Sequence, residues 1–545
     1  MNMQVLNTAK LSVPVQVGFV VCIVASCLCV IFRSEMLTLD RALLALAIVW
    51  LGLAPGILYV MRPRALRPAI PLMPMTGLFY AVFFGVPAFF AFSLRGASGP
   101  SADVQRIEFY RNTYVETVNI EAQMLVLVGL ALMLMAWLAV RKLGKRLKIS
   151  FPEQAPGSDL DLILAVLLLA LCVNFYWLSP AVRSLPSIGQ FLQPAGVVAF
   201  ALFYILWIKG RLSTWIAAFY FLGSLPLWMA TLISIGLMTP VIFIVLVWLV
   251  LRFHYLGKIP WRIAILGVVA MTIIYPSLST YRTHYWRSAN TEPATFLPAD
   301  LDRAALKIRL EEIRVKQDIL GENDPESIEL ERQKFWILNE LHGGASTSEK
   351  LLGFVGILGN RVSNMFRDPM NIDLDHVRLV RRISAILTLS HVVEQTPKNI
   401  PFWQGETYRT LFIGWVPRLV WLEKPEERWG NEFGRRYGIL LPHQTSMSVN
   451  MPWITEMYAN FGKVGILIGM FLAGLFLGFL DCIINAPRSK ITGVAISGGL
   501  LFPLFYHESN FTVMTGSFLP QLVCFWIFFF AVPPMLGWFR GFIRS

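Results

Sequence analysis

The chain has 545 residues, of which 56% are hydrophobic and 15% charged. A soluble protein of this length carries about a quarter charged residues, so the composition excludes an ordinary soluble enzyme and indicates a polytopic membrane protein. The net charge of +13 would suggest nucleic acid in a soluble chain; here it fits basic cytoplasmic loops, and no nucleic-acid partner is expected.

The N-terminal run "LSVPVQVGFVVCIVASCLCVIF" is long enough to span and is followed by no convincing small-residue cleavage site, so it reads as an uncleaved first span. Scanning onward for stretches that can cross about 30 Å of hydrocarbon predicts an all-α protein with about twelve transmembrane helices. They lie near 13–32, 42–61, 70–92, 120–140, 159–178, 189–208, 214–234, 238–252, 262–280, 462–484, 491–507 and 516–537. The sixth contains Pro194 and the eighth is short. Cys22, Cys27, Cys29, Cys172, Cys482 and Cys524 all fall in apolar runs, which indicates neither a disulfide framework nor a zinc site.

Lys and Arg give an independent check on sidedness. With a cytoplasmic N-terminus the inner loops read "RPRALRP", "RKLGKRLK", "KGR", "RFHYLGKIPWR" and "RSK", and the C-terminus "RGFIR". Each is basic, as the positive-inside rule requires. Both termini are then cytoplasmic, and three regions follow. Residues 1–280 form an N-terminal bundle of about nine spans, 281–460 one large extracytoplasmic loop, and 461–545 a C-terminal segment of about three spans. In a Gram-negative cell the chain belongs in the inner membrane with its large loop in the periplasm.

Within that loop, 299–342 is charged and periodic. Leu301, Ala305, Ile308, Val315 and Ile319 fall near helical spacing, and Asp324-Pro325 suits the start of a second helix. A helical hairpin is predicted, and a solvated structural insert is its plain role. Residues 350–460 mix apolar, aromatic and cationic side chains. Segments 349–369 and 375–395 pattern as amphipathic helices for the outer membrane surface. Proline and glycine then occur too often for one long helix, so a re-entrant or surface loop is expected.

The chemistry-bearing residues collect on this outer face. The arginines are Arg282, Arg287, Arg361, Arg367, Arg409, Arg418, Arg435 and Arg436, with Lys424 among them. An arginine fork suits phosphate oxygens, and at a membrane surface the obvious phosphate is a lipid diphosphate. Headgroup contacts and local ion pairs are the plainer alternative for any one of them. Glu406, Glu423, Glu432, Asp368 and Glu456 supply carboxylates. Glu456, just before a span, suits a base for a sugar hydroxyl, and equally a partner for an arginine or a cap for the following helix. His443 and His507 could meet a phosphate or a proton, or be structural. No metal-ligand spacing and no nucleotide-binding glycine motif occurs, so neither metal nor cofactor is expected.

From Gly405 to Gly474 the motifs "GETY", "VPRLVWLEKP", "NEFGRRYG" and "MPWITEMYANFGKVGILIGMFLAG" resemble the C-terminal region of Wzy-like O-antigen and exopolysaccharide repeat-unit polymerases. Pro417, Arg418, Trp421, Lys424 and Pro425 match one family run, and Glu456, Tyr458, Asn460, Phe461, Gly462 and Gly465 match another. Leu422 stands where a proline is usual. The paired arginine–glycine segments of some relatives are not found, so roles from those relatives are not carried over.

The resemblance implies a GT-C-like glycosyltransferase that joins polyprenyl-diphosphate-linked oligosaccharides at the outer leaflet. A flippase and a chain-length regulator are further partners it allows, beside membrane lipid. On this reading Arg282, Arg409, Arg418, Lys424, Arg435 and Arg436 bind diphosphate, with Arg418 also acting in the transfer, and Glu456 or Glu406 handles the acceptor hydroxyl. Trp421, Tyr458, Asn460 and His443 would contact substrate. An O-antigen-ligase-like transferase shares this chemistry. A flippase or secondary transporter also suits twelve spans, but the span interiors have essentially no ionisable residues.

Overall fold

The computed structural model describes residues 38–90, 118–143, 160–173, 194–234, 239–257, 303–320, 347–367, 383–414, 428–440, 448–485 and 490–544. Scattered single positions and pairs between 260 and 281, and at 330, 333, 337, 416, 421 and 423, complete the set. Among the described residues there are helices and turns and no strand.

Seven of these helices are long and apolar enough to cross a membrane. They are α1 (Leu39–Met61), α2 (Leu72–Phe89), α3 (Ile120–Leu143), α6 (Thr214–Ile233), α7 (Thr239–Leu256), α12 (Trp453–Ile483) and α14 (Phe511–Met535). Three apolar helices are shorter: α4 (Leu160–Val173), α5 (Ala195–Ile208) and α13 (Ile491–Phe505). The predicted spans at 13–32 and, for the most part, 262–280 lie outside the described residues. Between α7 and α12 come α8 (Arg303–Leu320), α9 (Thr347–Arg367), α10 (Ala385–Gln395) and α11 (Trp429–Arg436).

Small residues set the helix contacts. In lipid there is no hydrophobic drive between helices, so close backbone approach carries the packing. Gly52 of α1 and Gly77 of α2 sit face to face, and a Cβ on either would strike the other's carbonyl. Along the α3–α12 pair, Gly474 meets Met133 and Ala136, and Gly478 meets Trp137. Gly129 in turn accommodates Ile466 and Met470.

Polar contacts tie the helix ends together. At one end Asp481 of α12 accepts from Trp137 Nε1 of α3 at 2.8 Å, and Asn485 bonds the Ile70 backbone just before α2. At the other end Lys463 pairs with Glu121 at 2.9 Å, and Asn119 N donates to Ser390 Oγ at 3.1 Å.

The predicted hairpin has a small core of its own, made by Leu306 and Ile313 of α8 with Leu330 and Ile337. The expected apolar stripe is displaced. Ile308 and Val315 are exposed, because the face that meets Leu330 and Ile337 is centred on Leu306, Leu310 and Ile313. Moving from position 308 to 306 turns about 200° round a helix, so the stripe fell on the far side. Asp324 and Pro325 lie outside the described residues. A second correction concerns the segment predicted over 375–395, of which 383–395 is described. Instead of lying on the surface, α10 is buried from Ala385 to Val393, and its polar Ser390 and His391 are satisfied inside by Ile386 O, Asn119 N and Tyr437 O.

Candidate functional site

α12 is not one straight helix. At Gly462 the backbone turns to φ 64°, ψ −147°, which breaks the helix into 453–461 and 463–483. That left-handed φ favours glycine, and the Phe402 ring occupies the space where a Cβ would stand. The first segment folds back sharply enough that the Met457 carbonyl lies against Gly465 and the Met457 side chain against Gly469. Every residue from Trp453 to Asn460 is buried. A broken, buried helix of this kind is tolerated at membrane depth only where its freed backbone groups find protein partners.

The segment 402–408 supplies those partners. Trp403 N donates to Ala459 O at 3.0 Å, and Gln404 N to Asn460 O at 3.1 Å. The Asn460 side chain accepts from Gly405 N at 2.9 Å and donates to Thr407 Oγ1 at 2.9 Å and to Glu456 O at 2.8 Å. Gln404 and Gly405 both take positive φ, 51° and 83°, to make the turn. Tyr408 then stacks parallel on Phe461, with centroids 6.2 Å apart. The sequence motifs "GETY" and "NFG" are thus two halves of one interlocked corner.

Two cavities open at this corner and share Phe402 and Gln404 as walls. The first is a polar cleft of about 640 Å³ whose charged residues are Glu406, Arg409 and Arg436. Arg436 donates to both Glu406 oxygens, at 2.8 and 3.2 Å, and through Nε to Glu432 at 2.7 Å, while its guanidinium lies 4.6 Å over the Trp403 ring. Burial works against its charge, but the Glu406 and Glu432 carboxylates outweigh burial and raise its pKa. Hydrogen bonding from Arg436 in turn holds Glu432 below the usual carboxylate range. Arg409 is exposed on the cleft wall, and makes no ion pair among the described residues. The second cavity is an apolar groove of about 840 Å³, running down α12 from Asn460 to Phe476 and walled on the other side by Tyr408 and Phe511.

Of the site residues expected from the sequence, the structure brings Glu406, Arg409 and Arg436 together, with Arg435 beside them through its 2.7 Å pair with Glu432. Glu456 is fully buried, and its Oε2 accepts from Phe511 N at 2.6 Å, at the start of α14. That is the helix-capping geometry, set behind the cleft. Asn460 is the stitch just described. Tyr458 points inward, its hydroxyl donating to Thr396 O at 3.4 Å. Trp421 is exposed and lines neither cavity. Arg282, Arg418, Lys424 and His443 lie outside the described residues.

Sequence reasoning passed over Trp403, Gln404 and Tyr408, although "FWQGETYR" carries aromatic, amide and glycine signals in one run. His507, expected from the sequence to meet a phosphate or a proton or to be structural, lies in the interior. This ring is fully buried, stacked on Trp453 at 3.7 Å with its Nδ1 3.2 Å from the Tyr80 hydroxyl. Among the described residues no group of three or more His, Cys, Asp or Glu side chains converges as a metal site.

A family model described as a domain of unknown function, DUF8712, matches residues 366–532. The matched stretch holds the cleft, the broken helix and the His507 turn, and leaves out α1 to α8. Neither the curated proteins nor the solved structures give a match.

Proposed function

We propose that the chain is an integral-membrane glycosyltransferase that polymerises polyprenyl-diphosphate-linked oligosaccharide units at the outer face of a bacterial inner membrane. The proposed architecture is a GT-C-like bundle of about twelve spans with both termini cytoplasmic. The observation that carries the reading is the shared wall of the two cavities: a cleft with two guanidinium groups and a long apolar groove on a spanning helix lie against the same residues, Phe402 and Gln404. A sugar diphosphate on a hydrocarbon chain has that order of chemistry. The resemblance around Glu456–Gly465 supports the same reading, because those residues build the corner between the cavities.

In the proposed reaction an acceptor hydroxyl oxygen forms a bond to the anomeric carbon of the donor. The bond from that carbon to the diphosphate oxygen breaks, and its electron pair leaves with the diphosphate. Charge therefore grows on the diphosphate in the transition state, where Arg409, which pairs with no carboxylate among the described residues, stabilises it more than in the ground state. The hydroxyl proton passes to Glu406. Arg436 orients that carboxylate through two hydrogen bonds, and Trp403 behind it holds the guanidinium flat. Glu456 contributes by anchoring α14 to the corner.

The test is to incubate purified protein with a synthetic polyprenyl-diphosphate oligosaccharide and resolve the products on a gel. A ladder rising by one repeat unit is expected. A single product formed only with an added acceptor would make the enzyme a ligase instead, and no transfer under either condition would refute the reading.

A further inference from the structure

We propose that the ends of α5 and α7 form a binding site for the phosphate of an anionic phospholipid, held by Lys209 and Arg252. The site lies at the other end of the bundle from the cleft, and the inference does not depend on the transferase reading. Three observations carry it.

The first is how the helix ends meet. Lys209 follows α5 directly, and its ammonium lies 5.8 Å from the centre of the Tyr255 ring near the end of α7. Arg252, three residues before Tyr255, lies 5.7 Å from the Trp248 ring. Tyr204 and Trp207 of α5 complete the wall, with ring centroids 6.0 Å apart and Tyr204 beside Arg252 and Trp248. An aromatic face thus positions each cation without neutralising it. Arg67, 5.5 Å from the Phe253 ring, places this level at the Asp481 end of the bundle.

The second is charge. Arg211, two residues beyond Lys209, is already paired with the buried Asp161 at 3.0 Å. Lys209 and Arg252 meet no carboxylate among the described residues. The buried Arg252 Nε and Tyr204 hydroxyl also complete no hydrogen bond there. A guanidinium and an ammonium left unneutralised side by side fit a ligand of net negative charge, and phosphate oxygens suit both. A zwitterionic headgroup would bring a third cation to the same place.

The third observation assigns the phosphate to a lipid. Phe221 of α6 packs 5.4 Å from Trp207, so the surface of α6 adjoins the cations. On that helix Trp215, Phe219 and Leu222 are all more than three-quarters exposed, and Val245 and Leu256 are exposed along α7. Apolar side chains bared on spanning helices face acyl chains, with tryptophan at the headgroup level. A free phosphate gains nothing from this surface. A phospholipid sets its headgroup on Lys209 and Arg252 while its chains cover α6.

The experiment titrates the full-length protein in detergent with phosphatidylglycerol or phosphatidylcholine and counts adducts by native mass spectrometry. One phosphatidylglycerol is expected to bind in preference to phosphatidylcholine. Lys209→Gln and Arg252→Gln should each weaken it about five-fold, or about 1 kcal/mol per charge. The double variant should erase the preference. Lys209 is exposed, so its variant tests the site even if Arg252→Gln fails to fold. Arg252→Lys, which keeps the charge, should keep the preference. Arg141→Gln is the control at the same end of the bundle, where Arg141 already faces Asp481, and should leave the affinity unchanged.

Three results would overturn the inference. A preference that survives the double variant removes these two cations as the site. An equal loss in Arg141→Gln means diffuse attraction to a basic face. Displacement of the lipid by inorganic phosphate at equal concentration makes the ligand a soluble anion. None of the three bears on the product ladder expected of the transferase.

Discussion

The two ends of α12 use carboxylates in opposite ways. At its C-terminal end Asp481 is buried, with one oxygen accepting from Trp137 Nε1 at 2.8 Å and the other from Asn485 Nδ2 at 2.9 Å. Arg62 and Arg141 close over it, the latter also 4.7 Å above the Trp137 ring. At the other end Glu406 sits on the loop stitched to Asn460, about one-third exposed, and shares an open cleft with Arg436 and Arg409. A carboxylate with one oxygen taken by a neighbouring helix and the other by Asn485 at the end of its own helix helps fix how the helices meet and has nothing left to offer a ligand. An ion pair on the wall of a cleft keeps a partner that an incoming anion or hydroxyl can exchange. Glu456, buried and bonded through Oε2 to the Phe511 backbone, is like Asp481 in being closed off from the cleft. Carboxylate identity therefore says little here; access decides.

The contrast is broken most directly at Arg409. Arg409→Ala should cost about 10²–10³-fold in transfer rate, the scale for losing one preorganised donor to a developing charge, and leave thermal unfolding unchanged because the side chain is exposed. A wild-type ladder from this variant would remove the cleft as the diphosphate site. Asp481→Ala should do the reverse. It strands the Trp137 and Asn485 donors, each worth roughly 1–3 kcal/mol when buried without a partner. Unfolding in detergent should fall by about 3 kcal/mol, while the activity per folded molecule stays at the wild-type level. Equal losses of rate and stability in this variant would mean the two ends are coupled. Gly462→Ala comes next, at roughly 1–3 kcal/mol for the strained backbone. Adding Phe402→Ala relieves the steric part alone, so the double variant should regain only part of the loss; full recovery would show that φ at this position is not constraining.

How far the sequence reaches can be judged from the same residues. Apolar length placed α1, α2, α3, α6, α7, α12 and α14 well, and the span expected at 462–484 starts where α12 breaks. A glycine at the mouth of an apolar run marked that break. Glu406, Arg409 and Arg436 were legible because cations and aromatics crowd one segment, a local signal. The role of Glu456 was not, because its partner Phe511 is 55 positions away and a backbone N–H has no signature in the sequence. The hairpin's face was misread for a related reason: α8 has apolar residues on two sides, and only contact with Leu330 and Ile337 selects one. Periodicity finds helices; it does not choose between two faces when both are partly apolar.

The smallest effect sharpens the open end of the comparison. Glu432 holds Arg435 and Arg436 at 2.7 Å each, and its pKa lies below the ordinary 4.5 because Arg436 donates to the ionised form. A depressed carboxyl contributes stability that is fully present above its unfolded pKa and is lost as pH falls through the folded value. These groups are all about one-third exposed, so the contribution is that of a surface network, under about 1 kcal/mol. Glu432→Gln should therefore lower the unfolding midpoint slightly at pH 7, with the gap to wild type closing as pH drops below about 4.5 and shrinking in high salt. If the gap instead persists unchanged to pH 3, Glu432 acts through packing or neutral hydrogen bonds. In that case Arg436 is not held by charge, and the Trp403 ring alone keeps its guanidinium in place against Glu406.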